Sequence, residues 1–411
     1  MDEIMYRYRT LEKFLIKANA QFPVILVTGP RRVGKTTILQ HLCSKDRAYI
    51  SLDDPGIALL ARQEPALFLQ RFTPPVLIDE IQYAPELLPF IKLYVDKHKK
   101  MGDFWLTGSQ QFQMMRGVSE SLAGRVGIVQ LLGLSLKERE GYGERDEPFL
   151  PTAEALEMRQ KCSPPLSLKE IYKMIWQGSF PAMDLNPLID RDLFYSSYVQ
   201  TYLQRDVRDL ARVGDEGAFL KFLRAAAART SQLLNLSDMA RDVGISPVTA
   251  KHWLSILETS GIVYLLEPYY VNINKRMIKS PKLHFLDTGL AAYLTEWTSA
   301  ETLEAGAMSG NILETFVVTE ILKSYWHNGK RAPLYYYRDK DKKEIDLLIV
   351  QDETIYPIEC KKTGFPGIES SRHFMILKNS NLPVGGGAIL CLSETLLPIG
   401  KEIYAVPVSF L

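Results

Sequence analysis

The sequence predicts an α/β fold built on a parallel sheet, and three observations lead to it. Short apolar runs at 22–28 (FPVILVT), 74–80 (PPVLIDE) and 103–108 (DFWLTG) are too brief for helices and rich in strand-forming residues, the pattern of buried strands. Helical stretches separate them, one beginning at Lys35 and another spanning 86–99. A glycine-containing loop, GPRRVGKT at 29–36, joins the first run to its helix. Strands alternating with helices at this spacing imply a parallel sheet covered on both faces. A further strand-like run follows at 126–132 (VGIVQLL).

Composition bounds the rest. The chain has 411 residues, 46% hydrophobic and 24% charged, an ordinary globular balance whose length implies two to four domains. A net charge of +1 means that any nucleic-acid surface must be a local patch. Cys43, Cys162, Cys360 and Cys391 lie far apart without a CxxC pair, which argues against a zinc ribbon or disulfide framework and fits a reducing compartment. No stretch approaches the roughly 20 apolar residues that span a bilayer. The charged N-terminus lacks the apolar segment of a signal peptide and reads as an amphipathic lead-in helix. A cytosolic location without a membrane partner is expected.

Gly29, Pro30, Arg31, Arg32, Val33, Gly34, Lys35 and Thr36 match GxxxxGK[ST] in full, with Thr37 next in the chain. Glycines let the backbone curl so that several N–H groups point at phosphate oxygens, and the helix that follows adds its positive end. Lys35 is expected to neutralise β/γ-phosphate oxygens of ATP, and the Thr36 hydroxyl to ligate Mg²⁺. Asp79 and Glu80 end the strand Val76-Leu77-Ile78, facing the same crevice. Asp79 would hold the Mg²⁺ and Glu80 would take a proton from the attacking water. Thr107 or Ser109, at the end of the third run, could position that water or simply form a turn.

These motifs together resemble the AAA-type ATPase domain, close to the signal-transducing (STAND-like) branch, that precedes a DUF4143 domain in many prokaryotic proteins. The resemblance covers essentially the whole chain. It implies a RecA/AAA-like core with a helical lid, and it draws in three further pieces. Arg125, in Leu122-Ala-Gly-Arg125, takes the position of an arginine finger or else makes a structural ion pair. Gly178-Ser-Phe-Pro181 resembles an element whose Pro181 lies against bound nucleotide, or is a helix-breaking turn. Arg205–Asp206, in Tyr202-Leu-Gln-Arg205-Asp206, would be a sensor or a salt bridge.

From Leu236, LSDMARDVGISPVTAKHWLSIL fits a helix-turn-helix: Ala240 is small at the helix crossing, Gly244 makes the turn, Ser246 caps the second helix and Pro247 opens it. Val243, Leu254 and Leu257 would pack its core, and GIVYLLEPYY resembles a wing. The second helix offers Thr249, Lys251 and His252 for reading DNA; the alternative is a lever between the flanking domains.

Strands are expected at Tyr335–Arg338, Glu344–Val350 and Ile355–Lys361, with Glu359 and Lys361 on one face and Cys360 on the other. With the helix ILETFVVTEIL, these resemble the PD-(D/E)xK, restriction-endonuclease-like fold. That resemblance implies Glu314, Asp346 and Glu359 as ligands of a second Mg²⁺ site and Lys361 beside the catalytic water. The usual Pro-Asp is replaced by EID.

The organisation read from this is a P-loop core over 1–140, a helical lid region over 141–229, a winged helix-turn-helix module and linker over 230–282, and the nuclease-like domain over 283–411. The expected function is ATP hydrolysis as a switch that controls the C-terminal domain on DNA or another nucleic acid. Two alternatives stand beside it: an ATP-regulated signalling protein whose C-terminal domain binds without cleaving, and an ATP-regulated, Mg²⁺-dependent endonuclease. A homo-oligomer or a protein partner fits any of the three.

Overall fold

The computed structural model describes residues 6–108, 121–201, 215–269, 280–339 and 342–411. Its first sheet contains β1 (Val24–Thr28), β2 (Ala48–Ser51), β3 (Val76–Asp79), β4 (Phe104–Gly108) and β5 (Val126–Gln130), ordered β2-β3-β4-β1-β5. Every neighbouring pair is parallel, as the strand–helix alternation requires. The edge strand β2 has two exposed residues out of four and therefore gives little apolar signal in the sequence.

Alternation along β1 sorts its side chains into two cores. Val24 and Leu26 pack with the helices Pro55–Gln63, Pro65–Arg71 and Leu87–His98. Ile25 and Val27 pack with Leu11–Asn19 and Lys35–Leu42, in a core that continues into the rest of the chain. Local chemistry starts these helices: Asp54 accepts from the N–H groups of Gly56 and Ile57, with Pro55 at the first helical position.

A second, three-stranded sheet is formed by β6 (Gln232–Leu233), β7 (Val263–Leu266) and β8 (Lys282–Phe285), with β8 central and antiparallel to both neighbours. Helices Glu216–Ala227, Leu236–Val243 and Pro247–Thr259 pack beside it. Ala240, Leu254 and Leu257 are buried and Val243 is partly buried. Ser246 caps the last of these helices by accepting from Thr249 N–H at 3.0 Å.

The third sheet holds β9 (Leu334–Arg338), β10 (Glu344–Gln351), β11 (Thr354–Lys361), β12 (Gly387–Cys391), β13 (Leu397–Gly400) and β14 (Ile403–Pro407), ordered β13-β14-β12-β11-β10-β9. It is mixed: β11, β12 and β14 run parallel and the remaining pairs antiparallel. Helix Ser309–Trp326 precedes it and is buried almost throughout, including Thr315, Thr319, Glu320, Lys323 and Ser324. Among the described residues no helix is long and apolar enough to cross a membrane.

Candidate functional site

The loop between β1 and helix Lys35–Leu42 presses against the sheet. A Cβ at Gly29, whose φ is +144°, would sit 2.0 Å from the Leu131 carbonyl oxygen, so only glycine fits there. Lys35 is buried and its Nζ donates to the carbonyls of Gly29 at 3.0 Å and Pro30 at 2.7 Å. Arg31, Arg32, Gly34, Lys35, Thr36, Thr37, Glu80 and Pro181 share one cleft of ≈ 410 Å³. The structure thus brings Pro181 of the Gly178–Pro181 segment to the loop, although 153 residues separate it from Thr28 at the end of β1.

Asp79 ties the strands beneath the cleft together. Its Oδ1 accepts the Thr36 hydroxyl at 2.7 Å and the Thr107 hydroxyl, and its Oδ2 accepts the Tyr49 phenol at 3.1 Å. Burial, then the Asp79 charge, pushes the Tyr49 hydroxyl pKa up, so it stays a donor. Thr107 Oγ1 also accepts from Glu80 N–H at 3.0 Å. Glu80 adopts left-handed φ 59° and ψ 49°, a conformation costly for a residue with a Cβ and concentrated at functional sites. Gln82 Nε2 donates to its carboxylate. Hydroxyl and carboxylate oxygens are the hard donors that Mg²⁺ takes, so Thr36 and Asp79 fit the ion expected with ATP, where it would neutralise phosphate charge.

Ser109 and Arg205–Asp206 lie outside the described residues. Arg125 pairs within the chain: Nε donates to Asp96 Oδ1 at 2.5 Å and Nη2 to Oδ2 at 3.1 Å.

A buried ionic network, which sequence reasoning missed, connects this loop to the C-terminal region. Arg9 donates to Val33 O at 2.8 Å and to Leu132 O at 2.8 Å, and its Nε lies 3.1 Å from Glu138 Oε2. Glu138 closes a capping box with Ser135 and accepts from Thr10 N–H at 2.9 Å. Burial opposes its charge, but Arg9 and His327 outweigh burial and hold the carboxyl well below the usual range. His327 Nδ1 lies 3.2 Å from Glu138 Oε1, while its Nε2 accepts from Leu132 N–H at 3.2 Å. Helix Ser309–Trp326 adds Glu320, which accepts from Leu136 N–H at 2.7 Å, and Lys323, which donates to Leu134 O at 3.0 Å. The S-x-x-E spacing at 135–138 signals a helix start in sequence, but not these distant partners.

The middle region also touches the loop. A Cβ on Gly261, at φ +70°, would come within 2.9 Å of Pro30 Cγ. Asp287 holds Ser179 by accepting from its N–H at 2.7 Å and hydroxyl at 2.9 Å, and accepts the Tyr195 phenol at 2.9 Å.

In the third sheet, Asp346 and Glu359 fall on paired strands: Leu347 faces Ile358, and Asp346 Oδ2 accepts from Cys360 N–H at 2.9 Å. Lys361 Nζ donates to Glu359 Oε2 at 2.6 Å. The four expected residues do come together, but lysines span the carboxylates. Lys282 Nζ lies 2.9 Å from Glu314 Oε1, 2.5 Å from Glu344 Oε1 and 4.0 Å from Asp346 Oδ1. Burial works against the Lys282 charge, yet Glu314, Asp346 and Glu344 outweigh it and keep the amine protonated. Burial, then Asp346, pushes the carboxyls of Glu314 and Glu359 up. Among the described residues no three His, Cys, Asp or Glu side chains gather in a metal-holding arrangement. Glu314, Asp346 and Glu359 therefore do not fit a Mg²⁺ site as they stand, because an ammonium is seated among the carboxylates. Lys282 does not stand out in sequence, where it ends the segment read as module and linker, and Glu344 is noted there only as the first residue of EID.

A parallel sheet with a phosphate-binding loop at its strand ends, a strand-terminal Asp-Glu and a threonine joining them defines an ATPase-type P-loop domain. Residues 21–140 match the family described as AAA domain, residues 168–301 the domain of unknown function DUF8612, and residues 309–411 the domain of unknown function DUF4143. The chain thus combines an AAA-type ATPase domain with a C-terminal DUF4143 domain. It is 29% identical over 394 residues to two relatives, uncharacterized protein Mb2031c of Mycobacterium bovis and uncharacterized protein Rv2008c of Mycobacterium tuberculosis, covering 96% of this chain and 82% of each relative. Among solved structures, the Walker-type ATPase paby2304 of Pyrococcus abyssi aligns at 14% identity and a TM-score of 0.43, over 71% of this chain and 99% of that one.

Proposed function

We propose that this protein binds and hydrolyses ATP with Mg²⁺ as a conformational switch, and that the nucleotide state is passed to the DUF4143 domain. The observation that carries this reading is the buried chain Val33–Arg9–Glu138–His327, which links the phosphate loop to the end of helix Ser309–Trp326. Lys35 and the loop N–H groups would bind phosphate, Thr36 and Asp79 would hold Mg²⁺, and Glu80 would accept the proton of the attacking water. Thr107 would fix the peptide that carries Glu80, and Pro181 would lie along the nucleotide.

The output we propose is binding rather than cleavage. Helices Leu236–Val243 and Pro247–Thr259 with the β6-β8-β7 sheet have the make-up of a winged helix, and Lys251 and His252 are exposed on the second helix. Nucleic acid is the partner class that such a module would take. The test is hydrogen exchange of the full chain with and without Mg²⁺-ATP, together with anisotropy of labelled DNA. ATP should change protection at 131–140 and 309–327 and should change DNA affinity. Exchange changes confined to the phosphate loop would leave the switch unsupported.

A further inference from the structure

Burying carboxylates together is strongly unfavourable unless a cation lies among them. Here Glu314, Glu344, Asp346 and Glu359 cluster on helix Ser309–Trp326, β10 and β11; Glu359 pairs with Lys361 of its own strand, and the cation among the other three comes from elsewhere. Lys282 belongs to β8, the central strand of the second sheet, outside the C-terminal sheet. Its backbone is pinned on both sides, opposite Leu233 on β6 and Leu266 on β7. The side chain is 3% exposed. This is a seated ammonium and not a wandering surface lysine.

We propose that Lys282 is the resident cation of the DUF4143 carboxylate cluster, supplied by the middle region, and that it closes the cluster to divalent ions unless it is withdrawn. Mg²⁺ needs oxygen ligands at about 2.0–2.1 Å in near-octahedral array. An ammonium lying 2.5 Å from Glu344 and 2.9 Å from Glu314 fills that space and repels a second cation. The remaining charges are also matched: Arg338 Nη1 lies 3.0 Å from Glu344 Oε2, and Lys361 Nζ lies 2.6 Å from Glu359 Oε2. Withdrawing the Lys282 side chain would open the cluster while β8 stays joined to helix Ser309–Trp326 through His284 and Thr315, 3.3 Å apart. The inference deepens the binding output proposed above and does not depend on the ATPase assignment.

The test counts manganese bound to the nucleotide-free full chain by electron paramagnetic resonance. Wild type and Asp346→Asn should bind alike, since any ion at the phosphate loop is common to both. Lys282→Met should take up an additional ion that Lys282→Met/Asp346→Asn loses, and manganese should raise the melting temperature of the single variant but not of the wild type. Manganese in the wild type that Asp346→Asn removes overturns the proposal. So does a folded Lys282→Met chain that binds no more than wild type. If Lys282→Met fails to fold, the comparison of wild type with Asp346→Asn decides alone: equal binding supports the resident lysine and loss of an ion rejects it.

Discussion

Arg9 donates through Nη1 to the Val33 carbonyl at 2.8 Å while its Nε faces Glu138 at 3.1 Å, so one guanidinium grips both the phosphate loop and the buried carboxylate. Both side chains are almost fully buried. Removing either partner strands the other charge, which costs about 3–5 kcal/mol in comparable buried pairs. Arg9→Met and Glu138→Gln should each lower stability on that scale, and the double variant should lose clearly less than the sum. Urea unfolding of the four proteins measures the coupling; additive losses would mean the two residues act separately.

The nucleotide site offers a sharper pair of variants. Lys35→Ala removes the loop's buried ammonium, and charged hydrogen bonds are worth about 1.5–3 kcal/mol each, so ATP affinity should fall at least tenfold. Glu80→Gln should keep affinity yet reduce turnover by roughly 10²–10⁴, because an amide cannot take a proton. Calorimetry and phosphate release separate the two effects. Wild-type turnover in Glu80→Gln would assign the base elsewhere.

His284 gives a pH dependence with a definite sign. It is fully buried beside Thr315, 3.3 Å from its hydroxyl, and burial, then Lys282, depresses its pKa to about 3. The folded state therefore binds this proton less readily than the unfolded chain, whose histidine titrates near 6.5. Stability from this group is complete above about pH 6.5 and is lost as pH falls towards 3. The slope approaches about 1.4 kcal/mol per pH unit. His284→Gln, which cannot titrate, should lack this part of the acid sensitivity. Parallel stability curves for wild type and variant between pH 6.5 and 4 would contradict it.

Much of the fold is legible because its signals are local. The apolar runs of β1, β3 and β4, the Gly29–Thr36 loop and the Ser246-Pro247 cap each state their structure within a few residues. The Asp79–Glu80 strand end is equally readable, whereas Thr107, expected to position a water or form a turn, instead hydrogen-bonds to both residues. What escapes is long-range electrostatics. Residues 134–165 are rich in polar side chains, yet Ser135, Lys137, Glu138, Asp146 and Arg159 are buried because each finds a partner in the network or in another part of the chain. Lys282 is the same case: nothing next to it in sequence says that its charge is matched 32 and 62 residues later, by Glu314 and Glu344.

Arg125 supplies the last prediction, about assembly. A finger acting on a neighbouring copy must have its guanidinium available, whereas this one already makes two hydrogen bonds to Asp96 on helix Leu87–His98 of its own chain. The pair is partly solvent-exposed, 34% for Arg125 and 42% for Asp96, so it is screened and contributes little to stability. Arg125→Ala and Asp96→Ala should therefore behave alike, with melting temperatures near wild type and unchanged turnover per chain. Specific ATPase activity should also be flat across protein concentration, since Arg125 would not serve a second copy. Activity measured over a wide dilution series for the three proteins distinguishes the cases. A trans-acting finger would give activity that rises with concentration in wild type and in Asp96→Ala, where the arginine is released, but remains low and flat in Arg125→Ala.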